Sequence, residues 1–95
     1  MNKFLRANGL LETPRHSMYS LRHAFEDLRL HRVQIAIIPR NESSRRVVAK
    51  LGIRDEGLAV RYLEIDGVWE DHIRYAITHE EWDERRANFE ADWLA

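Results

Sequence analysis

Apolar positions along this chain change period from one segment to the next, and each period predicts a different element. Met18, Leu21, Phe25 and Leu28 recur at spacings of three and four, the single face of an amphipathic helix. Thr13 stands as N-cap with Pro14 at the first helical position, so a helix is predicted from Pro14 to about Arg29. Val33-Gln34-Ile35-Ala36-Ile37-Ile38 is rich in β-branched residues and stops at Pro39, the pattern of a buried strand. Asn41 can cap the next helix, which turns Val47, Val48 and Leu51 inward and ends at Gly52, where a left-handed terminator belongs. The distance to the following strand fits a crossover connection, right-handed by rule. Leu58 to Ile65 and Val68 to Ile77 flank Asp66-Gly67, the residue pair of a type I′ hairpin turn. Thr78-His79-Glu80-Glu81 then matches a capping box, and a last helix is predicted from about His79 to Asp92, with Trp82, Phe89 and Trp93 on one broad face. Residues 1–12 carry little pattern beyond the turn signal Asn8-Gly9.

The order helix, strand, helix, hairpin, helix predicts an α/β (α+β) fold, a three-stranded mixed sheet flanked by N- and C-terminal helices. With 95 residues, a single domain over 1–95 is expected. Hydrophobic residues at 44% against 33% charged exclude a disordered chain. Fifteen Lys or Arg against sixteen Asp or Glu leave a formal charge of -1, which removes any global attraction to nucleic acid or an anionic membrane. The same balance does little to keep copies of the chain apart. The absence of cysteine excludes disulfides, thiolate zinc sites and cysteine nucleophiles. No apolar run approaches the roughly 20 residues of a membrane span, and Met1-Asn2-Lys3-Phe4-Leu5-Arg6 lacks a secretory apolar stretch, so a cytoplasmic location is expected.

Candidate chemistry is sparse. The histidines at 16, 23, 31, 72 and 79 include no pair one helical turn apart and no pair at the strand spacing of two, so no metal site is expected. Glu64, Asp66, Glu70 and Asp71 cluster around the hairpin turn, a setting that keeps carboxylates solvated and unfit for acid–base work. None of the serines at 17, 20, 43 and 44 stands in a nucleophile elbow. The segment Pro39 to Arg46 differs, because it places Asn, Ser and Arg groups at a helix N-terminus directly after a buried strand. Free N–H groups and the helix dipole there favour an anion or a polar amide ligand. An ordinary capped helix with exposed basic side chains accounts for the same residues equally well.

Asn41-Glu42-Ser43-Ser44 through Lys50-Leu51-Gly52-Ile53 resembles the Asn-x-x-Ser … Lys-x-Gly-Phe stretch of GNAT-fold acetyltransferases. Leu30-His31-Arg32-Val33 before it, and Gly57, Asp66-Gly67-Val68-Trp69-Glu70-Asp71-His72 and Tyr75 after it, extend the resemblance over about Arg22 to Trp82. It is most similar to the branch that acetylates the N-termini of ribosomal proteins. The resemblance implies that Asn41 hydrogen-bonds the pantetheine arm of acetyl-CoA, with Arg45 and Arg46 on the same cofactor side. It also implies that Ser44 sits near the sulfur and protonates the leaving thiolate as general acid. The family's general base is not carried over, since Glu64 lies nearby in sequence but does not match it. The family's pyrophosphate loop, Gln/Arg-x-x-Gly-x-Gly/Ala, belongs just before the first helix. Leu10-Leu11-Glu12-Thr13-Pro14-Arg15 holds that place here, with Arg6-Ala7-Asn8-Gly9 as a partial echo.

The front of the chain resembles a different family. Leu5 to Glu12 followed by Tyr19-Ser20-Leu21-Arg22-His23-Ala24-Phe25-Glu26-Asp27 is similar to part of a tyrosine recombinase of the phage-integrase type, whose phosphate-binding arginine would fall on Arg22. The later boxes of that family and its tyrosine nucleophile pattern have no counterpart here. The two resemblances together describe a chimera, recombinase-like over 1–29 and similar to the C-terminal half of an acetyltransferase over 30–95.

The expected function is a truncated or chimeric GNAT-like protein without self-sufficient catalysis and with no cofactor. It would fold through self-association. The outer edge of the strand Val33–Ile38 is expected to be open, and to pair two chains as a homodimer. The alternative is an acetyl-CoA-dependent N-acetyltransferase whose groove a dimer or partner completes. Arg15, His16, Arg22, Arg29 and Arg32 give local positive charge, but Glu26, Asp27 and the overall balance argue against a nucleic-acid partner.

Overall fold

A computed structural model describes the backbone of residues 2–6 and 14–94 and the side chains at 15 and 17–92. Along the chain run β1 (Asn2–Arg6), α1 (Pro14–Arg22), β2 (Arg32–Ile37), α2 (Glu42–Leu51), β3 (Arg54–Ile65), β4 (Val68–Thr78) and α3 (His79–Phe89). The first helix does not run on as one α-helix to Arg29. It widens into a π-helical turn over His23–Asp27, where the Leu28 N–H donates to the His23 carbonyl at 3.0 Å. Arg29 then takes a left-handed φ of 53° and ends it. A second π turn, Glu90–Leu94, prolongs α3. Thr13 and the side chain of Trp93 lie outside the described residues.

The four strands are ordered β1-β2-β4-β3. The three strands expected from sequence pair antiparallel, β2 with β4 from Arg32↔Thr78 to Ile37↔Ile73, and β3 with β4 from Arg54↔Ala76 to Ile65↔Val68. The sheet owes its mixed character to a strand that the hydrophobic pattern did not announce. β1 lies parallel to β2, in register from Asn2↔Arg32 to Arg6↔Ala36. This corrects the expected open edge at Val33–Ile38, because β1 supplies hydrogen-bond partners along the side of β2 that faces away from β4. The sheet edges are β1 and β3 instead.

Local chemistry explains the remaining boundaries. Asp66 and Gly67 both take positive φ, 51° and 83°, as a type I′ turn requires. Gly52 closes α2 at φ 66°, with its N–H donating to the Ala49 carbonyl at 3.1 Å and the Ile53 N–H to the Val48 carbonyl at 3.3 Å. The Thr78–Glu81 capping box forms in both directions at the start of α3. Strand alternation places Val33, Ile35 and Ile37 of β2 on one face with Ile73, Tyr75 and Ile77 of β4. That face meets Met18, Leu21 and Phe25 from the first helix, Val47, Val48 and Leu51 from α2, and Trp82 and Phe89 from α3. Trp82 is fully buried, its ring stacked between Phe25 at 5.7 Å and Phe89 at 5.5 Å, and its indole N–H donates to Glu26 at 3.1 Å.

Candidate functional site

β1, α1 and β2 form a βαβ unit, and in such units ligands collect outside the carboxyl ends of the parallel strands. Here that end comprises Arg6 at the end of β1 and the turn Ile38-Pro39-Arg40-Asn41 leaving β2. The connection over residues 7–13, which includes the partial pyrophosphate-loop echo, lies outside the described residues.

The turn after β2 is tied on every side. The Asn41 N–H donates to the Ile38 carbonyl at 2.9 Å, and Arg45 Nη1 donates to the Pro39 carbonyl at 3.0 Å. Asn41 Oδ1 accepts the Ser44 N–H at 3.4 Å and the Ser43 hydroxyl at 3.1 Å. The Glu42 N–H donates to the Arg40 carbonyl at 3.0 Å, and the Arg45 N–H to the Asn41 carbonyl at 3.2 Å. The amide groups of Glu42, Ser44 and Arg45 are therefore spent on the cap itself, which makes this helix start a poor cradle for a phosphate.

Of the residues expected at a cofactor site, Asn41 is half-buried as the N-cap, and Ser44 is buried one turn in, with 8% of its surface exposed. Arg45 and Arg46 are exposed and border a shallow groove of about 330 Å³ with Glu42 and Ala49. Arg46 reaches Glu42 at 3.7 Å. The structure thus brings Asn41, Ser44 and Arg45 together around one helical turn, while Arg46 faces outward along α2.

A second groove of about 350 Å³ opens beside the same turn, between Ile38, Pro39 and Arg40 on one wall and Trp69, Glu70 and Asp71 on the other. Arg40 and Glu70 close it with a bidentate pair, Nη1 to Oε1 at 2.7 Å and Nη2 to Oε2 at 2.6 Å. That hydrogen-bonded guanidinium holds the Glu70 carboxyl below the usual carboxylate range. Asp71 accepts the Arg61 N–H at 2.8 Å, which fixes a bulge where Val60, Arg61 and Tyr62 pass a single residue of β4. Two of the four hairpin carboxylates are thus structural ties, whereas Glu64 and Asp66 are exposed. Sequence reasoning missed both ties, because neither partner lies within a helical turn or a strand spacing of the other.

Elsewhere, His72 is buried to 3% exposure, with Nδ1 and the Glu70 carbonyl 2.9 Å apart and its ring 6.0 Å from Tyr62. A further groove, about 530 Å³, lies at the amino end of β2, lined by Phe25, Arg29, His31, His79, Asp83 and Arg86 among others. Arg22 lies with its guanidinium 5.3 Å from the centre of the Tyr19 ring on its own helix. Among the described residues no helix is long and apolar enough to cross a membrane.

No family model matches the chain. It is 47% identical over 55 residues to the probable N-acetyltransferase YjcK of Bacillus subtilis, a match covering 58% of this chain and 30% of that protein. It is 36% identical over 63 residues to the [ribosomal protein uS5]-alanine N-acetyltransferase of Escherichia coli, covering 66% of this chain and 32% of the relative. The chain therefore spans about a third of the length of the curated relatives it matches. Among solved structures it is similar to Mycobacterium smegmatis RimJ in complex with CoA-disulfide (TM-score 0.69, 40% identity, 82% of this chain and 38% of that one). It is also similar to the ribosomal-protein-S5-alanine acetyltransferase of Vibrio fischeri (TM-score 0.66, 38% identity, 80% of this chain and 41% of that one). Coverage of 82% leaves less than a fifth of the chain outside, so the likeness reaches into the helix that the sequence alone likened to a recombinase.

Proposed function

Taking the chain as homologous to the C-terminal part of GNAT-fold N-acetyltransferases, we infer that it is the cofactor-side half of such an enzyme. In this reading it holds acetyl-CoA across the carboxyl ends of β1 and β2 and does not complete acetyl transfer alone. The observation that carries it is the parallel β1–β2 pair, whose ladder stops at Arg6↔Ala36 beside the capped start of α2. A cap that has already used its own amides suits the neutral pantetheine arm rather than the pyrophosphate. Acetyl-CoA supplies an acetyl group activated as a thioester.

The protein's own residues divide the remaining work. Asn41 and the turn it caps orient the arm. Arg45, anchored to the Pro39 carbonyl, presents positive charge beside it. Ser44, buried at the end of the first turn, offers its hydroxyl proton to a departing thiolate as general acid. Support for this reading comes from a relative solved with CoA-disulfide and from relatives named as N-acetyltransferases. A chain spanning a third of those relatives motivates the second half of the reading, that the acceptor groove needs a further element.

Calorimetric titration with CoA tests the binding claim. Saturable binding at one site per chain, tighter than about 1 mM, is expected. Folded protein that takes up no CoA at several times that concentration overturns it. Ser44→Ala is expected to leave CoA affinity unchanged, and to lower any turnover seen when an acceptor-side partner is supplied.

A further inference from the structure

The β2–β4 ladder closes at Ile37↔Ile73, and an ion pair stands three residues beyond that rung on each strand. Pro39 has no N–H with which to extend the ladder, and the chain turns there toward α2. Arg40 and Glu70 continue the pairing with side chains in place of backbone, Nη1 to Oε1 at 2.7 Å and Nη2 to Oε2 at 2.6 Å. A bidentate guanidinium–carboxylate pair fixes orientation as well as distance.

The Glu70 end of this clasp is firmly set. Its carbonyl accepts from Nδ1 of the buried His72 at 2.9 Å, and the neighbouring Asp71 accepts the Arg61 N–H at 2.8 Å. The Glu70 side chain is only 19% exposed, and Arg40 is the one arginine or lysine within ion-pair distance of it among the described residues. A carboxylate so largely covered depends on its partner more than a solvated one does. The Arg40 end belongs to the turn that caps α2. Its carbonyl accepts the Glu42 N–H at 3.0 Å, and the next residue, Asn41, takes the Ser44 N–H on its side chain and the Arg45 N–H on its carbonyl. Among the described residues no other side-chain hydrogen bond or ion pair joins residues 39–41 to residues 68–72.

We propose that Arg40 and Glu70 are positioning residues for the candidate site. Their pair holds the capped start of α2 against the hairpin, and through that turn it fixes the Asn41 and Ser44 side chains. The assignment rests on the reading of this turn as the holder of the acetyl-CoA arm, and neither residue has to touch the cofactor. An ion pair that merely added stability would, when lost, loosen the whole fold together. A positioning pair loosens the cap and leaves the sheet as it was.

Amide exchange without ligand tests the clasp itself. Arg40→Ala should speed exchange of the Ser44 and Arg45 amides about tenfold, with the β2 amides that face β4 unchanged. If Ser44 and Arg45 gain no more than those β2 amides, the pair is structural only and the proposal falls. Glu70→Ala should act alike, and the double variant should go no further than either single change, because each already opens the pair. Additive effects in the double variant overturn the proposal as well. CoA calorimetry on the same proteins reads the consequence, with each variant expected to bind about tenfold more weakly than the wild type. A wild-type chain that takes up no CoA removes the cofactor reading, and this role with it. A wild type that binds, beside variants that bind equally well, overturns the positioning role alone.

Discussion

Trp82 shows how much of this core rests on single side chains. Its ring is sealed between Phe25 and Phe89, and its N–H is satisfied by Glu26, so both its volume and its polarity are used. Trp82→Ala should cost about 3–5 kcal/mol and leave little folded protein at 37 °C. Trp82→Phe keeps most of the stacking and loses the hydrogen bond to the exposed Glu26, and should cost about 1 kcal/mol in a urea titration. Glu81 carries the clearest pH dependence. Its carboxyl lies below the ordinary glutamate range, first because Arg54 hydrogen-bonds it at 2.5 Å and also because it accepts from Thr78. A carboxyl whose folded pKa is depressed adds stability that is fully present above its unfolded value and fades as pH falls through the folded one. The stability gap between wild type and Glu81→Gln should therefore be widest near neutrality, and should close as pH falls below the usual glutamate value of about 4.3. A gap that held constant down to acid pH would remove Glu81 as the titrating group.

At the scale of elements, the end of α2 is fastened to α3. Arg85 Nη2 donates to the Leu51 carbonyl at 2.7 Å and Nη1 to the Gly52 carbonyl at 3.0 Å, satisfying acceptors that the helix end leaves open. A Cβ placed on Gly52 would lie 2.8 Å from Arg85 Nη2, and the residue already sits at φ 66°. Gly52→Ala should therefore cost about 1 kcal/mol for backbone strain alone, with a further loss as Arg85 is pushed off its carbonyls. Gly52→Ala in an Arg85→Ala background isolates the first part. If the two changes add without coupling, the clasp contributes nothing to the glycine's role.

At the scale of the whole molecule, β1 decides what the sheet exposes. Phe4→Pro places a residue with no backbone N–H and a fixed φ in the middle of β1, and should loosen the β1–β2 pairing by roughly 1 kcal/mol. Amide exchange of β2 is the readout. The β2 amides that face β1 should lose protection in Phe4→Pro, while those that face β4 and the β3–β4 ladder keep theirs. Unchanged protection of β2 would show that β1 contributes no stability there. The resemblance to acetyltransferases was readable because its residues are close in sequence, Asn41 to Gly52 within one helix and Asp66 to Tyr75 within one strand and its turn. The recombinase resemblance was read from the same kind of local run, yet the solved acetyltransferases extend across part of it. A short amphipathic helix satisfies many families at once, so sequence alone could not separate them.

The local elements were determined by sequence because their causes are local. A type I′ turn needs Asp66-Gly67, a left-handed helix end needs Gly52, a capping box needs Thr78 and Glu81, and periodicity names the faces that meet in the core. Tertiary structure alone decided three other things. It laid Asn2–Arg6 beside β2, paired Arg40 with Glu70 across the mouth of the site, and carried the hairpin past the end of the β2–β4 ladder. Each depends on backbone pairing or on side chains distant in sequence. A five-residue strand gains its partners from the ladder rather than from its own pattern, and the reach of the hairpin past that ladder is a difference in length between two strands that only folding brings side by side.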